Sequence, residues 1–268
     1  MNHFILIAIT ILTWNTGRMG GFVKPEKNEV LQYLLLQDAD VICLQEVDVY
    51  KDAQFLTLPD VRRTLGTKYP YSYLDFSVYN KRHQYGTMVW SKYPLINKQS
   101  IHYETRGNLS NRCDIVVGKD TLRLFNNHLE SYSFTAEDIP VDSLTHYSGL
   151  LSLIKHIKAK WERAFILRNE QAKVVRREIE SSQYPVVVVG DFNATEISYT
   201  YWHISEGLND AWRSTHSWQW GATCEHFGFG VRIDYILCAK SLHPTDCQVI
   251  QTTGSDHKPV VATLTFNR

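Results

Sequence analysis

The chain has 268 residues and a mass of 31.0 kDa, with 44% hydrophobic and 21% charged residues. That is ordinary globular usage, which excludes collagen-like and disordered classes and fits a single domain over residues 1–268. Its 28 Lys and Arg balance 28 Asp and Glu, so bulk charge does not drive tight non-specific nucleic-acid binding, although a local patch can.

From the N-terminus, Phe4 to Leu12 is apolar apart from Thr10. This run is far short of the roughly 18 to 20 residues that a membrane helix needs. It also lacks the positive start and small-residue cleavage site of a signal peptide. It reads as a first strand, Ile7 to Trp14, in a cytoplasmic protein; the alternative is the tail of a membrane segment cut short, which would make the protein membrane-associated. Glu26 to Gln37 has helical spacing through Val30, Leu31, Leu34 and Leu35. Val41 to Leu44, Gly86 to Trp90, Ile115 to Val117 and Leu122 to Phe125 read as strands, as do Val186 to Val189, Ile233 to Leu237 and Val260 to Phe266. Leu150 to Ser182 has neither Gly nor Pro and predicts one long helix or two stacked ones. Helices fall between strands, so the expected fold is α/β: a four-layered sandwich of two mainly antiparallel or mixed sheets flanked by helices. The five cysteines, Cys43, Cys113, Cys224, Cys238 and Cys247, are odd in number and show no CxxC spacing. Buried thiols are expected, not a disulfide framework or a zinc site.

Polar residues interrupt the apolar strands at consistent places. Alternate strand residues share a face. By that parity Asn15 continues the face of Ile9 and Ile11, and Glu46 that of Ile42 and Leu44. Asn126 and His128 extend Leu122 and Leu124, while Asp191 and Asn193 extend Val187 and Val189. Asp234 starts a strand and Asp256-His257 precedes another. Antiparallel pairing sets the end of one strand beside the start of its neighbour, so all of these groups can meet on one rim. Singly, each has an ordinary explanation as a turn residue, a satisfied core His or an ion pair. Together, oxygen donors without Cys partners suit Mg²⁺ or Mn²⁺, and a hard cation beside two His suits phosphate-ester hydrolysis.

The chain resembles the endonuclease/exonuclease/phosphatase superfamily, which includes pancreatic deoxyribonuclease, apurinic endonucleases, sphingomyelinases, inositol polyphosphate phosphatases, deadenylases and tyrosyl-DNA phosphodiesterase. Six segments carry the resemblance in order: Thr13-Trp14-Asn15, Leu44-Gln45-Glu46-Val47, Asn127-His128-Leu129-Glu130-Ser131, Gly190-Asp191-Phe192-Asn193, Arg232-Ile233-Asp234-Tyr235 and Ser255-Asp256-His257. The resemblance implies a two-sheet sandwich with its site at one end, and a Mg²⁺- or Mn²⁺-dependent phosphoesterase; a monomer with no obligate protein partner is expected. It implies Glu46 as principal metal ligand with Asn15 close by, and Asp256 helping a metal or standing behind the ligands. Asp191, helped by Asn193, would orient or deprotonate water. His257, its tautomer fixed by Asp234, would contact phosphoryl oxygens, and His128 would meet developing charge. A catalytically silent binding module of the same fold is the non-enzymatic alternative.

The substrate is less determined. Trp218, Trp220, Phe227 and Phe229 precede Arg232, where apurinic endonucleases carry an aromatic loop that meets DNA. Such aromatics can stack on bases or pack within their loop. Residues 150–180 hold eight Lys and Arg against four Glu, which can track phosphates or form a solvated helix face. A nucleic-acid phosphodiester is the expected substrate, with an inositol-phosphate or sphingolipid head group as the rival.

Overall fold

The computed structural model describes residues 8–103, 105, 107–132, 147–226 and 229–266. The apolar start before residue 8 lies outside them. In chain order the elements are β1 Ala8–Asn15, α1 Glu29–Leu36, β2 Val41–Tyr50, α2 Leu58–Leu65, β3 Tyr71–Tyr79, β4 His83–Ser91 and β5 Leu95–Ile101. There follow β6 Leu109–Val117, β7 Asp120–His128, α3 Tyr147–Glu180, β8 Val186–Asp191, α4 Tyr199–Ser205, β9 Leu208–Asp210 and α5 Ala211–His216. The chain ends with β10 Cys224–His226, β11 Phe229–Val231, β12 Asp234–Ala239, β13 Leu242–Val249 and β14 Val260–Phe266. No helix among the described residues is long and apolar enough to cross a membrane.

Two six-stranded sheets form, ordered β13-β14-β1-β2-β4-β3 and β5-β6-β7-β8-β12-β9, and β10 and β11 make a separate hairpin. Each large sheet is antiparallel except for one central parallel pair, β1 with β2 and β7 with β8. Strand alternation builds the layers. Ile9, Ile11, Val41 and Cys43 of the first sheet face Leu122, Leu124, Val187 and Val189 of the second. On the first sheet's outer face, Leu12, Trp14, Ile42 and Leu44 pack against Val30, Leu31, Leu34 and Val61 of α1 and α2. Phe125, Val186 and Val188 do the same against Ala172, Val175 and Ile179 of α3. Strands buried on both faces carry the continuous apolar runs that made them legible. The result is the four-layered α/β sandwich expected.

Helix ends follow their sequence signals. Asn28 accepts from the Leu31 backbone N–H and starts α1, so the predicted helix from Glu26 begins three residues later, after a 3₁₀ turn at Pro25–Lys27. Thr57 and Asp60 form a capping box at α2. The Gly- and Pro-free stretch lies in a single helix of 34 residues, Tyr147–Glu180, which starts three residues earlier, takes in Gly149 and ends two residues short of Ser182. All five cysteines are buried and none is disulfide-bonded.

Candidate active site

Both parallel pairs end at the same rim of the sandwich. β1 delivers Asn15, which is buried and on the inter-sheet face with Ile9 and Ile11. β7 and β8 deliver His128 and Asp191 as register partners. β12 runs back beside β8 and sets Asp234 directly opposite Asp191. Gly190 makes the close pairing of β8 with β7 possible: its φ is 120°, and a Cβ there would drive into the Asn127 backbone.

Glu46 arrives differently. Strict alternation would put it on the face of Ile42 and Leu44, which is the outer face under α1. The register with β4 slips between Leu44 and Val47, and Glu46 has a φ of 51°. This bulge, at a backbone angle that side-chain-bearing residues seldom adopt, swings the carboxylate onto the rim. The parity expectation is therefore corrected: Glu46 joins the cluster because the strand is broken there.

The cluster is knit by short bonds. Asn15 Nδ2 donates to Asp191 Oδ2 at 2.8 Å and to Glu46 Oε1 at 3.2 Å, joining carboxylates from the two sheets. Asn193 donates its backbone N–H to Asp191 Oδ1 at 2.7 Å and its amide to Oδ2 at 3.1 Å. His128 Nε2 lies 3.3 Å from Glu46 Oε1. His257 Nδ1 is 2.9 Å from Asp234 Oδ2, and its Nε2 is 3.8 Å from Asp191 Oδ2. The loop carrying His257 is itself fixed, since Trp14 Nε1 donates to the His257 carbonyl at 2.8 Å and Ser255 Oγ donates to the Asn15 carbonyl at 2.8 Å.

Charge follows environment. Burial works against ionisation of Glu46, but the His128 hydrogen bond and charge, with Asn15, outweigh it and hold the carboxyl at about 2. Asp191 is pushed up to about 6, first by burial, with His257 opposing and Asp234 adding to the rise. Burial disfavours the cationic form of both imidazoles. It loses to Glu46 at His128, and to Asp234 and Asp191 at His257, so both are raised, His257 well above its ordinary value. The rim thus pairs carboxylates with imidazolium donors, an arrangement able to hold water and a phosphoryl group at once.

A hard divalent cation fits the Glu46 side. Glu46 is ionised, its side chain is 27% exposed, and an amide stands beside it. Mg²⁺ asks for one or two carboxylates and otherwise keeps its waters. Asp256 is exposed, and its carboxylate lies within 4.8 Å of ligand atoms of Cys224 and His257, a cluster that Glu46 does not join.

The substrate-loop residues divide. Trp218, Trp220 and Phe229 are 94%, 64% and 76% exposed, and Trp220 Nε1 donates to the Gly230 carbonyl at 2.8 Å. Phe227 lies outside the described residues. Arg232 is buried, with Nη1 on Asp210 Oδ2 at 2.8 Å, Nη2 on Glu196, and its guanidinium 4.7 Å from the Tyr235 ring centre. Its donors are committed within the fold, and the adjacent apolar Ile233 gave the sequence no hint of the two acids that hold it.

Two features escaped the sequence. Gln45 Nε2 donates to Asn126 Oδ1 at 2.7 Å, tying the sheets together directly beneath Glu46 and His128. Gln45 stands within a matched segment and Asn126 at a strand end, but nothing in the sequence pairs the two amides across the sheets. A cavity of about 310 Å³ also opens beside Asn193, lined by Tyr132, Phe165, Arg168, Ser198 and Ile233. Arg168 is buried, donates to the Glu130 carbonyl at 2.6 Å and sits 4.3 Å from the Tyr132 ring centre. The eight-cation count made that residue one of a set that tracks phosphates or forms a solvated helix face; only the fold singles it out.

Several solved structures share this architecture. An endonuclease/exonuclease/phosphatase from Beutenbergia cavernae DSM 12333 superposes with a TM-score of 0.69 at 16% identity, over 97% of this chain and 72% of that one. Truncated Caenorhabditis elegans TDP2 gives 0.62 at 19% identity, over 97% and 98%. The endonuclease/exonuclease/phosphatase from Bacteroides vulgatus gives 0.66 at 17% identity, over 97% and 99%. No curated protein sequence matches the chain. The profile of the Endonuclease/Exonuclease/phosphatase family matches residues 12–257, from the strand that ends in Asn15 to His257 itself. The chain belongs to that family, whose members are generally hydrolases acting on phosphoesters.

Proposed function

We propose that the protein is a divalent-metal-dependent phosphodiesterase, nuclease-like in substrate, hydrolysing its ester by in-line attack of water. One observation carries the reading: the Asn15 amide bridges an ionised Glu46 and an Asp191 whose carboxyl is raised to about 6. Two carboxyls driven apart in proton affinity within one hydrogen-bonded cluster divide into an anchor and a base.

Asp191 is deprotonated at neutral pH and poised to take a proton from water. Asn15 and Asn193 hold both of its oxygens, so the lone pair that receives the proton keeps one direction. His257 donates from Nε2 toward the phosphoryl oxygens, because Asp234 engages Nδ1 and favours the cation. His128 offers a second donor to the same developing charge. Water's oxygen bonds to phosphorus as the opposite ester bond breaks and the alcohol leaves. Glu46, with Asn15 beside it, would hold Mg²⁺ or Mn²⁺, which would supply Lewis-acid neutralisation of the phosphate. The exposed Trp218, Trp220 and Phe229 support a substrate with stackable bases.

The test is a panel of single-stranded, nicked and abasic DNA, RNA, sphingomyelin and phosphoinositides, assayed in Mg²⁺, Mn²⁺ and EDTA. Metal-restored cleavage of a nucleic acid, falling steeply with salt, is expected. Cleavage confined to the lipids would replace the nuclease reading with a head-group hydrolase. Full activity in chelator would end the metal-dependent one.

A further inference from the structure

Four of the five cysteines, Cys43, Cys113, Cys238 and Cys247, lie in the apolar core between the sheets. Cys224 lies elsewhere, at the rim. It opens β10, and an isolated antiparallel bridge pairs its backbone with His257. The Lys258 N–H donates to the Thr223 carbonyl at 2.7 Å and locks the two segments together. This sets the Cys224 thiol in hydrogen-bonding contact with the His257 ring. Asp256, exposed and adjacent, reaches the same point: one ligand atom from each of Cys224, Asp256 and His257 lies within 4.8 Å of the other two.

We propose that Cys224, Asp256 and His257 form a second cation site, which takes Zn²⁺ or another thiophilic divalent ion and thereby withdraws His257 from hydrolysis. A thiolate, an imidazole and a carboxylate are a zinc donor set, with the fourth position left to water. Mg²⁺ and Mn²⁺ prefer oxygen and gain little from sulfur, so the site discriminates against the ion assigned to Glu46. The second layer is also built for zinc. Asp234 holds Nδ1 of His257 at 2.9 Å, which leaves Nε2 as the ring nitrogen that can ligate an ion, as the outer carboxylate does for ligating histidines generally. The exposed Asp256 provides the way in. On binding, two protons pass to solvent, one from the Cys224 S–H as the S–Zn bond forms and one from His257 Nε2–H as its lone pair becomes a ligand bond. That N–H is the donor the hydrolytic reading gives to the phosphoryl oxygens, so the inhibitory half of the proposal rests on that reading.

The metal-binding half is tested without substrate. Metal-free protein is titrated with Co²⁺ in the presence of excess Mg²⁺, and the near-ultraviolet thiolate-to-cobalt charge-transfer band is followed; Zn²⁺ is then added to displace it. A saturating band that Zn²⁺ bleaches is expected in the wild type and in Cys247→Ser. It should be lost in Cys224→Ser and need more Co²⁺ in Asp256→Asn, whose exposed position protects the fold if the thiol variant fails. Hydrolysis at saturating Mg²⁺ is then measured with added Zn²⁺, each protein against its own zinc-free rate. The half-inhibiting concentration should rise at least about 10- to 100-fold in Cys224→Ser, the loss that even outer-layer changes cause at metal sites. No band in the wild type, or a band unchanged in both variants, overturns the site. Zinc inhibition relieved by Mg²⁺ and indifferent to Cys224 also overturns it and assigns the effect to the Glu46 side. A thiolate band with undiminished hydrolysis overturns the inhibition. The band is readable even if no phosphoester is cleaved, so the two readings fail separately.

Discussion

Asp191 ends a central parallel strand of one sheet and Glu46 interrupts a central parallel strand of the other; both touch the same Asn15 amide, yet they behave as different functional groups. Glu46 is thrown onto the rim by a bulge, keeps partial access to solvent and faces His128. Asp191 continues a straight four-valine strand, is fully enclosed and shares His257 with Asp234. One carboxyl is held at about 2 and the other raised to about 6. Side-chain chemistry alone does not assign roles here. The difference comes from burial and from which partner carries the nearest opposite charge. Loss of either residue should therefore fail in its own way.

The largest effect is expected at Asp191. Asp191→Asn removes the proton acceptor, a contribution on the order of 10²- to 10⁴-fold in kcat, and His257→Ala removes a charge-stabilising donor worth roughly 10²- to 10³-fold. Both act on one transition state, so the double variant should lose less than the product of the singles. Single-turnover hydrolysis by the four proteins measures this. A near-wild-type rate in either single variant would remove that residue from the chemistry. Glu46→Gln should fail differently: the metal concentration for half-activity should rise by at least about 10- to 100-fold, with much of the rate recovered at high metal. A kcat defect at unchanged metal requirement would reverse the two assignments.

Much of this contrast was legible in the sequence, and the reasons are physical. β1, β7 and β8 are covered on both faces, so their apolar runs are continuous and a polar residue at their ends stands out. Asn15, His128 and Asp191 were placed on the inter-sheet face by parity alone. β3, β5 and β13 escaped because they are edge or near-solvent strands: β5 exposes Ile96 through Gln99 in succession, and β13 carries Pro244 at a register slip. Glu46 shows the limit most clearly. Its bulge uses a positive φ at a residue other than Gly or Asn, and no local sequence signal announces that. Arg232 illustrates the other limit, because its partners Asp210 and Glu196 are 22 and 36 residues away.

A smaller effect separates the carboxyls by pH. If Asp191 is the base, log kcat/KM should fall with unit slope as pH drops below its value of about 6, tenfold for each unit. Glu46, already ionised far below that range, should contribute nothing to the limb. The Asp191→Asn residual rate should lack the limb, and Glu46→Gln at saturating metal should keep it. A limb that persists without Asp191 belongs to another group.

The last contrast is thermodynamic and is read in metal-free protein without substrate. A carboxyl raised on folding binds its proton more tightly in the native state, so its ionised form opposes folding. For Asp191 that cost is fully present above about pH 6 and is relieved as pH falls from about 6 toward the unfolded value of 3.8. Stability should therefore improve on acidification by up to about 1.4 kcal/mol per pH unit across that window. Glu46 has the opposite sign. Its lowered value gives stability that is complete above the unfolded value of 4.5 and is lost as pH falls through about 2. The measurement is the difference in unfolding free energy between wild type and each variant as a function of pH, from denaturant melts. Hydrogen bonds altered by Asp191→Asn shift that difference by a constant and leave its slope untouched. Both histidines stay protonated in the folded chain and nearly so in the unfolded chain over most of the Asp191 window, so they add little slope there. Wild type should gain on Asp191→Asn as pH falls from about 6 to 4, and lose ground to Glu46→Gln as pH falls below about 4.5. Two slopes of the same sign would mean that the carboxyls share one environment, and the division into anchor and base would have no physical footing.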